Sequence, residues 1–170
     1  MTDRGTYALL IPLEVGLRLR IGRLGVRTLA PGCYVYVGSA LGGLSSRLKH
    51  HLGSKNRLHW HIDYLLLEAK VAQVWYSLGP ARLECTWNEA LGSIPGANPS
   101  VPGFGASDCR CRSHLTRFQA TPPLEIFSGK LRQIGLPQVL QVCHPTIGQP
   151  AISISGRGVD NASFIYDQQY

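Results

Sequence analysis

Gly32-Cys33-Tyr34-Val35-Tyr36-Val37-Gly38-Ser39-Ala40 is the stretch from which the rest of the chain can be read. Cys33 to Val37 is dense in β-branched and aromatic side chains, and Tyr34 and Tyr36, two apart, fall on one face of a strand. Pro31-Gly32 is a turn signal before it, and Gly38-Ser39 is the expected end of the strand, the glycine leaving room for backbone or substrate to approach. The period then changes. Leu44, Leu48 and Leu52 recur four apart, which predicts a helix from Leu41 to about Leu52 opened by Gly42-Gly43 and closed by Gly53. Arg47 and His51 share another flank of that helix, so a phosphate-binding guanidinium and an imidazole face one pocket. Each residue taken singly reads as a solvated basic side chain.

Toward the N-terminus, Gly5-Thr6-Tyr7-Ala8-Leu9-Leu10-Ile11-Pro12-Leu13 is β-rich, and Leu17 to Leu24 alternates apolar and basic residues at period two. Arg18 and Arg20 thus lie on one cationic face, with Arg23 and Arg27 beyond, and Glu14-Val15-Gly16 between the strands is hairpin-sized. Toward the C-terminus, Val71 to Leu78 reads as a strand, Leu83 to Leu91 as a short helix, and 92–107 as a Gly/Pro/Ser-rich loop. His59-Trp60-His61 places both imidazoles on one face at period two, and Asp63 can either cap a helix or orient an imidazole.

After Thr121-Pro122-Pro123 glutamines accumulate and periodicity fades. The chain has 170 residues and a formal charge of +7, and 120–170 contains 3 basic and 3 acidic side chains, so the whole excess belongs to 1–119. The expected organisation is therefore a functional domain over 1–119 and an appended segment over 120–170. Such a positive bias at only 16% charged residues points to a polyanionic partner. No run approaches a membrane span and no signal peptide is evident, which predicts a cytoplasmic protein without membrane contact. Five cysteines in a reducing compartment read as free thiols or metal ligands.

The order Gly5-Thr6-Tyr7, Tyr36-Val37-Gly38, Arg47, His51, Glu84 resembles the GIY-YIG nuclease superfamily. The likeness is greatest to its Uri-type endonuclease branch, through 32–40, His59-Trp60-His61-Ile62-Asp63-Tyr64, Glu84-Cys85 and Pro102-Gly103-Phe104-Gly105-Ala106-Ser107-Asp108-Cys109-Arg110-Cys111. The resemblance implies an α/β (α+β) fold, a small central antiparallel sheet flanked by helices. Relative to the superfamily, an extra strand is inserted between Tyr7 and Tyr36 and a C-terminal extension is added. It further implies a DNA endonuclease that hydrolyses phosphodiesters with one Mg²⁺ or Mn²⁺. Tyr7, Tyr36, Arg47 and His51 match catalytic positions, and Glu84 matches the metal-binding glutamate. Glu89 on the same short helix is the alternative carboxylate, with Glu84 preferred for its Glu-Cys pair.

On this reading a nearby cation lowers the phenol pKa of Tyr7, so that with His51 or Tyr36 it takes a proton from the attacking water. Arg47 offsets charge on the phosphoryl group. Arg18, Arg20, Lys55, Arg57, His59 and His61 are the expected nucleic-acid contacts, a solvated sheet face being the other reading of the two strand arginines. Cys109, Cys111 and His114, completed by Cys85 or by His59/His61, form a possible zinc set. Its spacing departs from Cys-x2-Cys, so buried thiols beside a hydrogen-bonded histidine are preferred. The competing function is a nucleic-acid-binding protein that keeps the fold with little turnover. Oligomeric state is not legible.

Overall fold

The computed structural model describes residues 3–54, 57–136 and 139–145. In chain order the elements are β1 (Gly5–Leu13), β2 (Leu17–Ile21), a 3-10 turn (Gly22–Leu24), β3 (Gly25–Leu29), β4 (Gly32–Ala40), α1 (Leu44–Leu52) and α2 (His61–Leu65). They continue with β5 (Gln73–Leu78), α3 (Glu84–Gly92), β6 (Asn98–Pro99), β7 (Leu115–Phe118), α4 (Leu124–Gln133) and β8 (Gln141–Cys143). Six strands form one antiparallel sheet in the order β6-β7-β4-β1-β5-β8. This is the mixed α+β architecture the sequence predicts.

β1 is buried from Gly5 to Ile11 because helices cover both sides of the sheet. Its odd-numbered residues Tyr7, Leu9 and Ile11 join Tyr34 and Tyr36 of β4 under Leu44 and Leu48 of α1 and Ile62 and Leu65 of α2. Ala8 and Leu10, with Val35 and Val37, face the other way onto Trp87 and Leu91 of α3 and Phe127 and Leu131 of α4. The period-two alternation thus feeds two cores rather than one core and solvent. Pro12 is tolerated because β1–β5 pairing ends at Leu10↔Gln73, leaving a partner on one side only.

Three expectations are corrected. Gly38-Ser39 does not end β4, which stays in register with β1 as far as Ala40↔Gly5. β2 does not form a hairpin with β1; it pairs with β3 in a separate two-stranded ribbon, Leu17↔Leu29 to Ile21↔Gly25. The reason is burial: Arg18 and Arg20 are exposed while Leu19 and Ile21 are buried, and a sheet covered on both faces has no solvated side for the arginines.

The third correction concerns the segment after Pro122-Pro123. The prolines precede α4, and Phe127 and Leu131, one turn apart, are buried in the second core. Phe127 stacks on Trp75 at 5.4 Å between centroids and meets Trp87 edge-on at 5.3 Å. The described part of 120–145 therefore continues the same fold, with β8 extending the sheet beside β5. Phe127→Ala is expected to cost about 3–5 kcal/mol in urea unfolding, the range for emptying a buried aromatic site. An effect below about 1 kcal/mol would show that α4 is dispensable to the core.

Candidate active site

The N-terminal segment sets α1 in place. Asp3 accepts a hydrogen bond from the Ser45 backbone N–H through Oδ2 (2.7 Å), and its carbonyl accepts from the Leu44 N–H (2.7 Å), so it supplies the cap that Gly43 cannot. With Leu44 and Leu48 buried against the sheet, His51 is carried inward as well. The Tyr7 hydroxyl lies 2.8 Å from His51 Nε2, both groups buried. Gly38 is opposite Tyr7 in the β1–β4 register, and a Cβ there would lie 2.6 Å from the Tyr7 oxygen. The glycine is thus required for the phenol's position.

Asp63 takes both roles considered for it. Its Oδ2 accepts the backbone N–H groups of His59 (2.8 Å) and Trp60 (2.9 Å) and so starts α2. Its Oδ1 lies 3.5 Å from His51 Nδ1, and His50 Nε2 lies 3.1 Å from both oxygens. Burial opposes ionisation of Asp63, but His51, the two backbone donors and His50 outweigh it and hold the carboxyl well below the usual carboxylate range. A carboxylate at Nδ1 assigns the proton to that nitrogen, leaving Nε2 to accept from Tyr7. Tyr7, His51 and Asp63 thus stand in line, the first pair at hydrogen-bonding distance and the second in an ion-pair contact at 3.5 Å.

The expected lowering of the Tyr7 pKa is reversed. Burial pushes the phenol up to about 12, outweighing the opposing effect of Arg47, and burial likewise raises Tyr36 well above its ordinary value. A phenol raised on folding from 10 to about 12 gives stability that is complete below pH 10 and is lost as pH rises toward 12. Urea unfolding should show that decline between pH 10 and 12, and Tyr7→Phe should make it shallower; an equal slope in the variant would contradict the assignment.

Tyr36 completes an aromatic cluster, 6.4 Å from the Tyr7 ring, 6.4 Å from His51 and 5.9 Å from Phe104. Arg47 is half-buried with its guanidinium carbon 4.1 Å from the centre of the Trp60 ring, a cation–π contact that orients it near Tyr7. His59 and His61 do not share a face as expected. α2 starts at His61, so the exposed His59 rests on Trp60 while His61 Nδ1 accepts the Gly105 N–H at 3.0 Å. Burial, with Arg23 nearby, lowers the pKa of His61.

Glu84 opens α3 and is 4% exposed, whereas Glu89 on the same helix is exposed, so the structure brings only the former toward the tyrosines. One carboxylate oxygen, Oε1, accepts from Arg82 Nε, and Arg82 Nη2 also bonds Asp108. The other, Oε2, is buried with no hydrogen-bond partner among the described residues. Burial works against its charge, but Ser39 and Arg82 leave the pKa lowered, so Glu84 is ionised. Its charge is in turn among the influences that raise Tyr7 and Tyr36.

Among the described residues two groups of side chains could hold a metal ion: Cys85, Cys109, Cys111 and His114, and His50, His51 and Asp63, with all ligand atoms in each within 4.8 Å of one another. In the second, Asp63 already serves two backbone donors and two imidazoles, and His51 Nε2 serves Tyr7. Its ligand atoms are already engaged in these contacts. Neither His59 nor His61 is in the cysteine group, so Cys85 is the fourth member. Burial and the neighbouring Cys111 and Cys109 push the Cys85 thiol up to about 12.

Of the remaining predicted contacts, Arg18, Arg20, Arg57 and His59 are exposed, and Lys55 lies outside the described residues. Sequence reasoning misses Arg82 and the side chain of Ser39 as neighbours of Glu84. Arg82 stands two residues before Glu84 in a non-helical segment, and nothing in the local sequence signals its bond to Asp108.

The architecture and the site define an α+β protein with a buried tyrosine–histidine–aspartate cluster and a separate glutamate at the opening of α3. A family model described as a domain of unknown function, DUF123, matches residues 6–136, and the chain belongs to that family. The match runs through α4, in keeping with that helix's place in the core. No curated protein and no solved structure matches the chain. Among the described residues no helix is long and apolar enough to cross a membrane.

Proposed function

We propose that the chain is a metal-dependent endonuclease of the GIY-YIG type, near the Uri branch, that hydrolyses phosphodiester bonds in DNA. The observation that carries the reading is the buried Oε2 of an ionised Glu84, without a partner among the described residues, whose charge reaches the paired Tyr7 and His51. An orphaned hard oxygen donor suits Mg²⁺ or Mn²⁺ and not a soft ion. Glu84 would hold that ion, which when bound supplies Lewis-acid stabilisation of a phosphate oxygen and of the leaving oxyanion.

The chain's own residues supply the proton chemistry. Tyr7 is a neutral phenol whose proton is directed at His51 Nε2, so its oxygen can accept a proton from the attacking water as its own passes to the imidazole. The Asp63 carboxylate then steadies the imidazolium. The water oxygen bonds phosphorus and the P–O bond to the leaving strand breaks. Arg47, oriented by Trp60, offsets charge on the phosphoryl oxygens, and Tyr36 with Phe104 walls the Tyr7 side of the site. Exposed Arg18, Arg20 and Arg57 supply sequence-independent phosphate contacts. Reduced thiols and a nucleic-acid substrate accord with a cytoplasmic location.

The test is incubation of the full chain with single-stranded, duplex and branched DNA, with and without Mg²⁺ or Mn²⁺. Metal-dependent cutting of at least one substrate is expected. Binding without cutting on all of them would replace the enzyme by the nucleic-acid-binding protein.

A further inference from the structure

We propose that Cys85, Cys109, Cys111 and His114 bind one Zn²⁺ as a closed, tetrahedral structural site that clamps the 101–114 loop to the first turn of α3. Three thiols and an imidazole from segments distant in sequence converge with all four ligand atoms within 4.8 Å of one another. Zn–S bonds of about 2.3 Å and Zn–N bonds of about 2.0–2.1 Å at tetrahedral angles put ligand atoms roughly 3.5–3.8 Å apart. His114 Nε2 lies 3.4 Å from Cys109 Sγ and 3.8 Å from Cys85 Sγ, near that spacing.

The backbone is shaped for the same convergence. The His114 N–H bonds the Phe104 carbonyl (2.7 Å), its carbonyl accepts from Val37 of β4 (3.0 Å), and the Gly103 N–H bonds the Arg112 carbonyl (2.8 Å). These bonds fold the loop back so that Cys109 and Cys111 meet Cys85 of α3. Three thiolates and a dication leave one negative charge, and the exposed Arg110 and Arg112, sequence neighbours of Cys109 and Cys111, supply positive charge on the same loop. Four protein ligands leave no open coordination position, which marks a structural and not a catalytic ion. Cys85 follows Glu84 directly, so the clamp also holds the helix end that presents that carboxylate. Cys33 and Cys143 lie elsewhere, the first on β4 and the second on β8.

The site stands independently of the nuclease reading. The experiment is elemental analysis of the full chain purified under reducing conditions, with Co²⁺ substitution followed by absorption spectroscopy. Expected are one zinc per chain, thiolate-to-cobalt charge-transfer bands, and a lowered Tm after chelation. Zinc should be lost in Cys109→Ser/Cys111→Ser and kept in Cys33→Ser and in Glu84→Gln. The wild-type stoichiometry and cobalt spectrum decide the matter even where the double variant fails to fold. Absence of zinc together with no cobalt thiolate bands would overturn the proposal, as would zinc retained in the double variant or a disulfide among these cysteines that persists through purification under reducing conditions.

Discussion

Glu84→Gln is expected to lower the proposed metal-dependent cleavage by at least roughly 10³-fold, since loss of the carboxylate–metal bond proposed for the transition state would cost several kcal/mol and each 1.4 kcal/mol is tenfold. Glutamine keeps the shape and still accepts a hydrogen bond from Arg82, but it carries no charge for a divalent ion. The fold should be little affected, because α3 is anchored by Trp87, Ala90 and Leu91 in the second core and Arg82 is half-exposed, where an ion pair is worth about 0–1 kcal/mol. DNA affinity measured without metal should stay within a few-fold of wild type. Cleavage by the variant at near wild-type rate would remove Glu84 from the mechanism, and loss of DNA affinity in step with activity would make it a binding residue.

The second large effect concerns the relay. Under the proposed mechanism Tyr7→Phe removes the group that would accept the water proton, and it should reduce kcat by about 10²–10⁴-fold, the range for a positioned general base. Asp63→Asn keeps hydrogen-bonding capacity at the start of α2 but removes the charge that orients and stabilises the His51 imidazolium. A loss of about 10²–10³-fold is expected of it, with a displaced pH–rate profile that a purely structural defect would not produce. Because the three groups act as a unit, the double variant should be scarcely worse than Tyr7→Phe alone. Additive losses would mean that Asp63 serves stability and Tyr7 serves chemistry by separate routes.

Much of the scaffold was legible because it is written in local periods. Leu44, Leu48 and Leu52 repeat every four residues, and Tyr34 and Tyr36 alternate, so α1 and β4 follow from spacing alone. α4 was not, although Phe127 and Leu131 have the same spacing, because only two buried apolar residues in a polar stretch after a proline pair carry the signal. The β2–β3 ribbon was half legible. Its alternation of leucine and arginine predicts a strand with one wet face, but whether that strand joins the main sheet depends on what covers the sheet.

The same division runs through the site. Tyr7, Tyr36, Arg47, His51 and Glu84 are identified by order and resemblance along the chain. The reversal of the Tyr7 pKa is not, because the sequence shows the neighbouring cation but not the burial that outweighs it. Asp63 could be seen to suit a cap or an imidazole, and only the packing of α1 against α2 lets one carboxylate do both.

The sequence by itself determined β1, β4, β5, α1 and α3 and the cationic bias, since these follow from residue chemistry and short-range spacing, and the candidate site residues were nominated by resemblance. Tertiary structure alone decided that Glu84 keeps an oxygen without a partner among the described residues and that Glu89 does not enter the site. It also brought Cys85 to Cys109, Cys111 and His114. Those outcomes depend on contacts between segments distant in sequence and on desolvation, and neither is a property of any local stretch.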